Sequence, residues 1–110
     1  MHEMAITQSV VQTVGERCEG RQVDQITLVV GRLSGVVADS VAFCFEVCTM
    51  GTVMEGATLQ IVDVAGTARC RTCGEAFELP DLIALCPCGS ADVEILGGEE
   101  LSIRSVEVRA

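Results

Sequence analysis

Residues 69–74 read Arg69-Cys70-Arg71-Thr72-Cys73-Gly74, and twelve residues separate Cys73 from a second pair in Cys86-Pro87-Cys88-Gly89. This stretch constrains the fold more than any other, because its four sulfurs can meet only if the chain between them turns back as a short hairpin. Two close pairs across such a hairpin are the layout of a four-thiolate zinc ribbon. The segment also holds the only two prolines of the chain and few residues able to fill a core. It is too small to fold on buried surface alone, so a bound ion must supply the missing free energy. Phe77 and Leu79 are its small apolar strand. The second pair is one residue shorter than the first, which alters the turn that aims its sulfurs. Two rival readings are a redox dithiol at Cys70 and Cys73, and free thiols. A thioredoxin-like dithiol opens a helix near a βαβ pattern, whereas Gly74-Glu75-Ala76-Phe77 reads as a hairpin. Zinc ligands are therefore expected at Cys70, Cys73, Cys86 and Cys88.

The flanks carry ordinary helix and strand periodicities. Ile6, Val10, Val14 and Cys18 recur every four residues, with Met4 and Val11 beside them, and predict a helix over 4–19. Gly15 weakens its interior and Gly20 is the expected C-terminal cap. Ile26, Leu28 and Val30 alternate within a strand over 22–33. A second helix follows, with Asp39 or Ser40 as its N-cap and an apolar stripe of Val41, Cys44, Phe45 and Cys48. A second strand runs over 58–64, and strand–helix–strand order favours a parallel pair joined by a crossover. Residues 101–108 form a third strand whose phase slips near Ser105, the sign of a bulge. The fold expected is α+β: a small mixed three-stranded sheet with two helices, plus an inserted ribbon. Its domains are 1–66 together with 99–110, and 67–98. Met4, Cys18, Cys44 and Cys48 are assigned to core packing, since free cysteine is among the most buried residue types.

Composition narrows the function. Seven Arg, no Lys and sixteen Asp and Glu give a formal charge of -9, the wrong sign for gripping phosphates, so nucleic acid is not expected as a partner. Neither a secretory signal nor an apolar run of about 18 residues is visible, so no membrane association is expected. Seven cysteines is an odd number, which a closed disulfide framework does not need. A cytoplasmic, reducing setting is expected, where clustered cysteines bind metal or do catalysis more often than they cross-link. No nucleophile has a base visible in the sequence, so the chain reads as a binding protein and not an enzyme. Two alternatives remain beside a metal carrier: a zinc-ribbon interaction module, and a thiol-redox protein.

The only histidine is His2, next to the α-amine of Met1 and followed by Glu3. A histidine at position 2 offers one ion the terminal amine, its own amide nitrogen and its imidazole, and the amide of Glu3 supplies a fourth nitrogen. A near-planar array of four nitrogens suits Ni(II) or Cu(II) and suits zinc poorly. Amide nitrogens bind only after losing a proton, so the site weakens as pH falls.

With Met1-His2-Glu3-Met4, Gly31-Arg32-Leu33-Ser34-Gly35-Val36, Ala42-Phe43-Cys44-Phe45, Glu55-Gly56-Ala57, Cys88-Gly89-Ser90 and Gly98-Glu99-Glu100-Leu101, the chain resembles the HypA/HybF family of hydrogenase maturation proteins from end to end. The resemblance implies a nickel metallochaperone that carries Ni(II) as cargo to the large subunit of [NiFe]-hydrogenase, acting with a HypB-type nickel GTPase. It also implies nickel at Met1, His2 and Glu3 and structural zinc at the four ribbon cysteines, in a monomer or homodimer. Urease is a second conceivable recipient.

Overall fold

A computed structural model describes residues 2–110. Two helices and six strands follow one another as α1 (Glu3–Cys18), β1 (Val23–Gly31), a short 3-10 turn (Arg32–Ser34), α2 (Ala38–Cys48), β2 (Thr58–Val64), β3 (Gly66–Cys70), β4 (Ala76–Leu79), β5 (Val93–Gly97) and β6 (Leu101–Val108). The strands make two three-stranded sheets, in the orders β2-β1-β6 and β4-β3-β5. The architecture is the expected α+β arrangement.

β1 is the spine of the first sheet because its last six residues, Ile26–Gly31, are all buried. It pairs in parallel with β2, Leu28 opposite Ile61. Parallel neighbours need a crossover, and α2 supplies it. On its other side β1 pairs antiparallel with β6. There Thr27 faces Ser105 while the next residue, Leu28, faces Ile103, which leaves Arg104 without a partner. The bulge read near Ser105 thus falls on Arg104. Both helices cover one face of this sheet, and Val10, Val14, Ile26, Leu28, Val41, Phe45 and Met54 form the core between them.

Several boundaries differ from the expectation, each for a physical reason. α2 begins at Ala38 with Val37 at the N-cap, and neither Asp39 nor Ser40 caps it; the group that serves this end comes from α1, as described below. α1 ends at Cys18 with Glu19 in the left-handed region (φ 52°), so Gly20 follows the cap instead of being it. The first strand stops at Gly31, since Arg32–Ser34 turns away as a 3-10 segment. Met4 is not a core residue. It is 41% exposed, because the buried face of α1 runs through Glu3, Thr7, Val10, Val14 and Cys18. Cys18 and Cys44 are buried as expected and Cys48 is half-buried, its Sγ 3.4 Å from Met4 Sδ.

The two sheets meet where the chain crosses between them. Gly31 N donates to Glu100 O at 2.8 Å and Leu33 N to Gly98 O at 2.8 Å. A Cβ on Gly31 would fall inside the carbonyl of Gly98, and one on Gly66 would lie 2.5 Å from Leu33 Cδ1. The crossing is this close because both positions lack a side chain.

Candidate metal centre

β3 delivers Cys70 from the end of a strand, and the chain turns at once. Gly74 N donates to Cys70 O at 2.9 Å, and Cys70 N donates to Glu75 O at 2.9 Å, closing the turn into the β3–β4 hairpin. The second turn repeats the plan: Gly89 N donates to Cys86 O at 2.8 Å, and Cys86 N to Ser90 O at 2.9 Å. Gly74 and Gly89 sit at φ 79° and 97°, a region where glycine pays no steric penalty. The expected hairpin after Cys73 is therefore present, and no helix begins there. The two turns are stitched by Thr72 Oγ1 and Ser90 Oγ at 2.9 Å. Arg71 N donates to Asp92 O at 2.9 Å, and its guanidinium bonds Asp92 Oδ1 at 3.1 Å. Ala68 in β3 and Leu79 at the far end of β4, opposite Gly66, are buried, and Phe77 is half-buried.

The four sulfurs of Cys70, Cys73, Cys86 and Cys88 lie within 4.8 Å of one another. The close approaches cross between the pairs: Cys70 to Cys88 at 3.8 Å and Cys73 to Cys86 at 3.6 Å. A tetrahedral ion with metal–sulfur bonds of about 2.3 Å has sulfur–sulfur edges of about 3.8 Å. The cluster already has the dimensions of that shell. The shorter second pair reaches it because Cys88 N donates to Cys86 Sγ at 3.4 Å, just as Cys73 N donates to Cys70 Sγ at 3.4 Å. All seven cysteines are free thiols.

The cluster's electrostatics favour a cation. The N–H of Cys73 holds the Cys70 thiol down at about 6, helped by the N–H of Thr72 and by thiol hydrogen bonds. Cys86 accepts the N–H of Cys88, which acts in the same direction, but burial and the thiols of Cys88, Cys73 and Cys70 outweigh it and push Cys86 up to about 12. One thiolate forms readily and opposes the next. A dication removes that conflict by binding all four as thiolates.

The N-terminal residues are placed separately. Met1 lies outside the described residues. His2 is exposed at the N-cap of α1, and its carbonyl accepts the first helical bond, from Ile6 N at 3.0 Å. The side chain of Glu3 is buried, at 7% exposure. Its Oε2 accepts Val37 N–H at 3.1 Å, so α1 supplies a carboxylate to the start of α2. That hydrogen bond holds the Glu3 carboxyl below its ordinary value. Thr7 Oγ1 donates to Glu3 O at 2.7 Å. Neither Val37 nor Thr7 stands at a recognisable motif position, and the 34-position separation of Glu3 and Val37 hides the pairing from any local pattern.

A family model described as hydrogenase/urease nickel incorporation, metallochaperone, HypA, matches residues 1–108. Relatives called hydrogenase maturation factor HypA include those of Geotalea uraniireducens, 47% identical over 98% of this chain and 99% of theirs, and Nostoc punctiforme, 44% identical over 98% and 96%. A solution structure of the Ni metallochaperone HypA from Helicobacter pylori superposes with a TM-score of 0.67 at 23% identity, over 100% of this chain and 99% of that one.

Proposed function

The chain belongs to the HypA family of nickel-incorporation metallochaperones, and from that premise we propose that it carries Ni(II) on its first three residues to the large subunit of [NiFe]-hydrogenase. The ligands are the amine of Met1, the amide and imidazole nitrogens of His2, and the amide of Glu3. What supports this most is the position of His2 at the N-cap of α1, directly before Glu3, with its side chain exposed. Two deprotonated amides cancel the charge of the ion, so the positive end of the helix dipole does not repel the chelate. The carboxylate of Glu3 stays on Val37 and fixes the first turn.

Cys70, Cys73, Cys86 and Cys88 hold zinc, which makes the segment 67–98 a structural domain beside the nickel-binding domain of 1–66 and 99–110. The protein is a carrier and not an enzyme, works in the cytoplasm as a monomer or homodimer, and passes its cargo with a HypB-type GTPase. Among the described residues no helix is long and apolar enough to cross a membrane.

The test is metal analysis and nickel titration on protein with a native, untagged N-terminus, beside His2→Ala. One zinc per chain, with nickel binding lost in the variant, is the expected result. Equal nickel binding by both proteins overturns the N-terminal site. Absence of nickel binding overturns the carrier role.

A further inference from the structure

β6 is an edge of its sheet, so alternate N–H and C=O groups along its eight residues point away from β1. Beside that edge runs a groove between β6 and α1. It consists of three depressions of about 310, 400 and 310 Å³. They are continuous, since the first two share Thr13 and Ile103 and the last two share Arg17 and Val106. One end is apolar, with Ile6, Val10 and Leu101. The middle holds Arg17 and Arg104.

Those two arginines stand apart from the other five. Arg32, Arg71 and Arg109 form ion pairs, Arg69 donates to Gly74 O and Arg21 to Arg109 O. Among the described residues Arg17 and Arg104 are the guanidiniums without a hydrogen bond or ion pair. They lie 87 positions apart in sequence and line the same depression. In a chain of net charge -9, two unneutralised cations in one groove single out an anionic occupant.

We propose that this groove binds an extended, acidic segment of a partner polypeptide, which adds as a fourth strand to β6 and places a carboxylate against Arg17 and Arg104. The dimensions agree: the sixteen residues of α1 span about 24 Å and the eight of β6 about 26 Å, the length of a strand of seven or eight residues. Main-chain bonds to the edge give affinity and the groove reads alternate side chains. A second copy of this chain is a poorer occupant. Antiparallel pairing of two β6 strands about their midpoint sets each Arg104 opposite Ser105 of the other copy, so a second copy brings no directly opposed carboxylate. The inference does not depend on where nickel binds.

The experiment is selection of random eight-residue peptides displayed on phage against the full zinc-loaded chain, followed by binding of the enriched peptides to variants. Expected are acidic sequences with alternating apolar residues, amide shifts mapping to β6 and α1, and about a ten- to hundred-fold loss of affinity in Arg17→Ala/Arg104→Ala. Arg32→Ala, whose exposed pair with Asp63 lies elsewhere, should bind as the parent does. Arg17→Glu/Arg104→Glu should select basic sequences instead. Three outcomes overturn the proposal. They are selected peptides that are neutral or that map to another surface, such as the exposed Leu82–Ile83 loop; a selection that enriches nothing; and a parent that sediments as a dimer which Arg104→Glu dissociates.

Discussion

Removing the ion from the four-cysteine cluster should unfold the β4-β3-β5 sheet and leave the β2-β1-β6 sheet intact. The magnitudes come from what each sheet buries. The first sheet and its helices share a core of ten buried residues. The second has Leu79 and Ala68, plus the cysteines Cys70 and Cys86 themselves. A fully buried leucine stabilises by about 1.5–3 kcal/mol. Structural zinc in small domains contributes about 10–16 kcal/mol at neutral pH, several times more. The ion, not the apolar contacts, therefore decides whether β3, β4 and β5 form.

Amide hydrogen exchange before and after chelation reads this directly. Amides of β3–β5 should become unprotected on metal removal, while β1, β2 and α1 keep their protection. Thiol titration gives a second readout. In the loaded protein Cys48 should be the rapidly reacting thiol, because Cys18 and Cys44 are buried. After chelation the four cluster thiols should join it. Unchanged protection of β3 and β5 in fully stripped protein would refute the reasoning, since the sheet would then stand without its ion.

Three further outcomes follow from the geometry. Gly15→Ala should raise stability by about 0.5–1 kcal/mol in denaturant unfolding, because a Cβ there meets Met54 Cε at an ordinary 3.6 Å; a loss would mean that α1 packs more tightly on Met54 than this distance implies. Gly31→Ala should cost about 3 kcal/mol or more, from overpacking against Gly98 and loss of junction hydrogen bonds, and should lower the thermal midpoint by roughly 10 °C; a change of under about 1 kcal/mol would show that the crossing yields freely. Glu3→Gln should alter the acid limb of stability. The Glu3 pKa is lowered in the fold, so its contribution is complete above the ordinary carboxylate value of about 4.3 and is lost as pH falls through the folded-state value. The gap between parent and variant should close in acid; a gap independent of pH would deny the carboxylate this role.

What the sequence made legible is local. β2 and β6 lie on the residues that their alternation marks, and α1 starts within one residue of its expected place. The cysteine spacing located both turns because each is closed by a glycine beside its pair. What it left unread depends on approach between distant segments. The carboxylate at the start of α2 comes from Glu3 and takes the N–H of Val37, whereas the residues beside the helix point to Asp39 or Ser40. Met4 shares the apolar spacing of α1 but falls outside its buried face, since Thr7 takes the place beside Glu3 by bonding its carbonyl. Gly31 and Gly66 read as punctuation, and their purpose shows only where two chain crossings press together. Arg17 and Arg104 carry no motif, and become a pair only when β6 returns beside α1.

The two proposed metal sites differ in how an ion can leave them. The cysteine shell draws its ligands from two turns fastened by the Thr72–Ser90 contact and by the strands on either side. Loss of an ion there requires the small sheet to open, so the ion stays with the chain. The proposed N-terminal ligands are neighbours along one short stretch of chain in which His2 is exposed. They can be withdrawn one at a time while Val10, Val14 and the rest of the core remain in place. Protons compete for the same nitrogens, so mild acid releases this ion by mass action, and a partner offering better ligands achieves the same at constant pH. Affinity alone cannot make such a site choose nickel, because Cu(II) binds more tightly in the usual divalent order. Selectivity must then come from which ion is available and which partner receives it. That places the specificity of delivery in protein–protein contacts, and gives a groove able to take up a partner's strand a direct bearing on it.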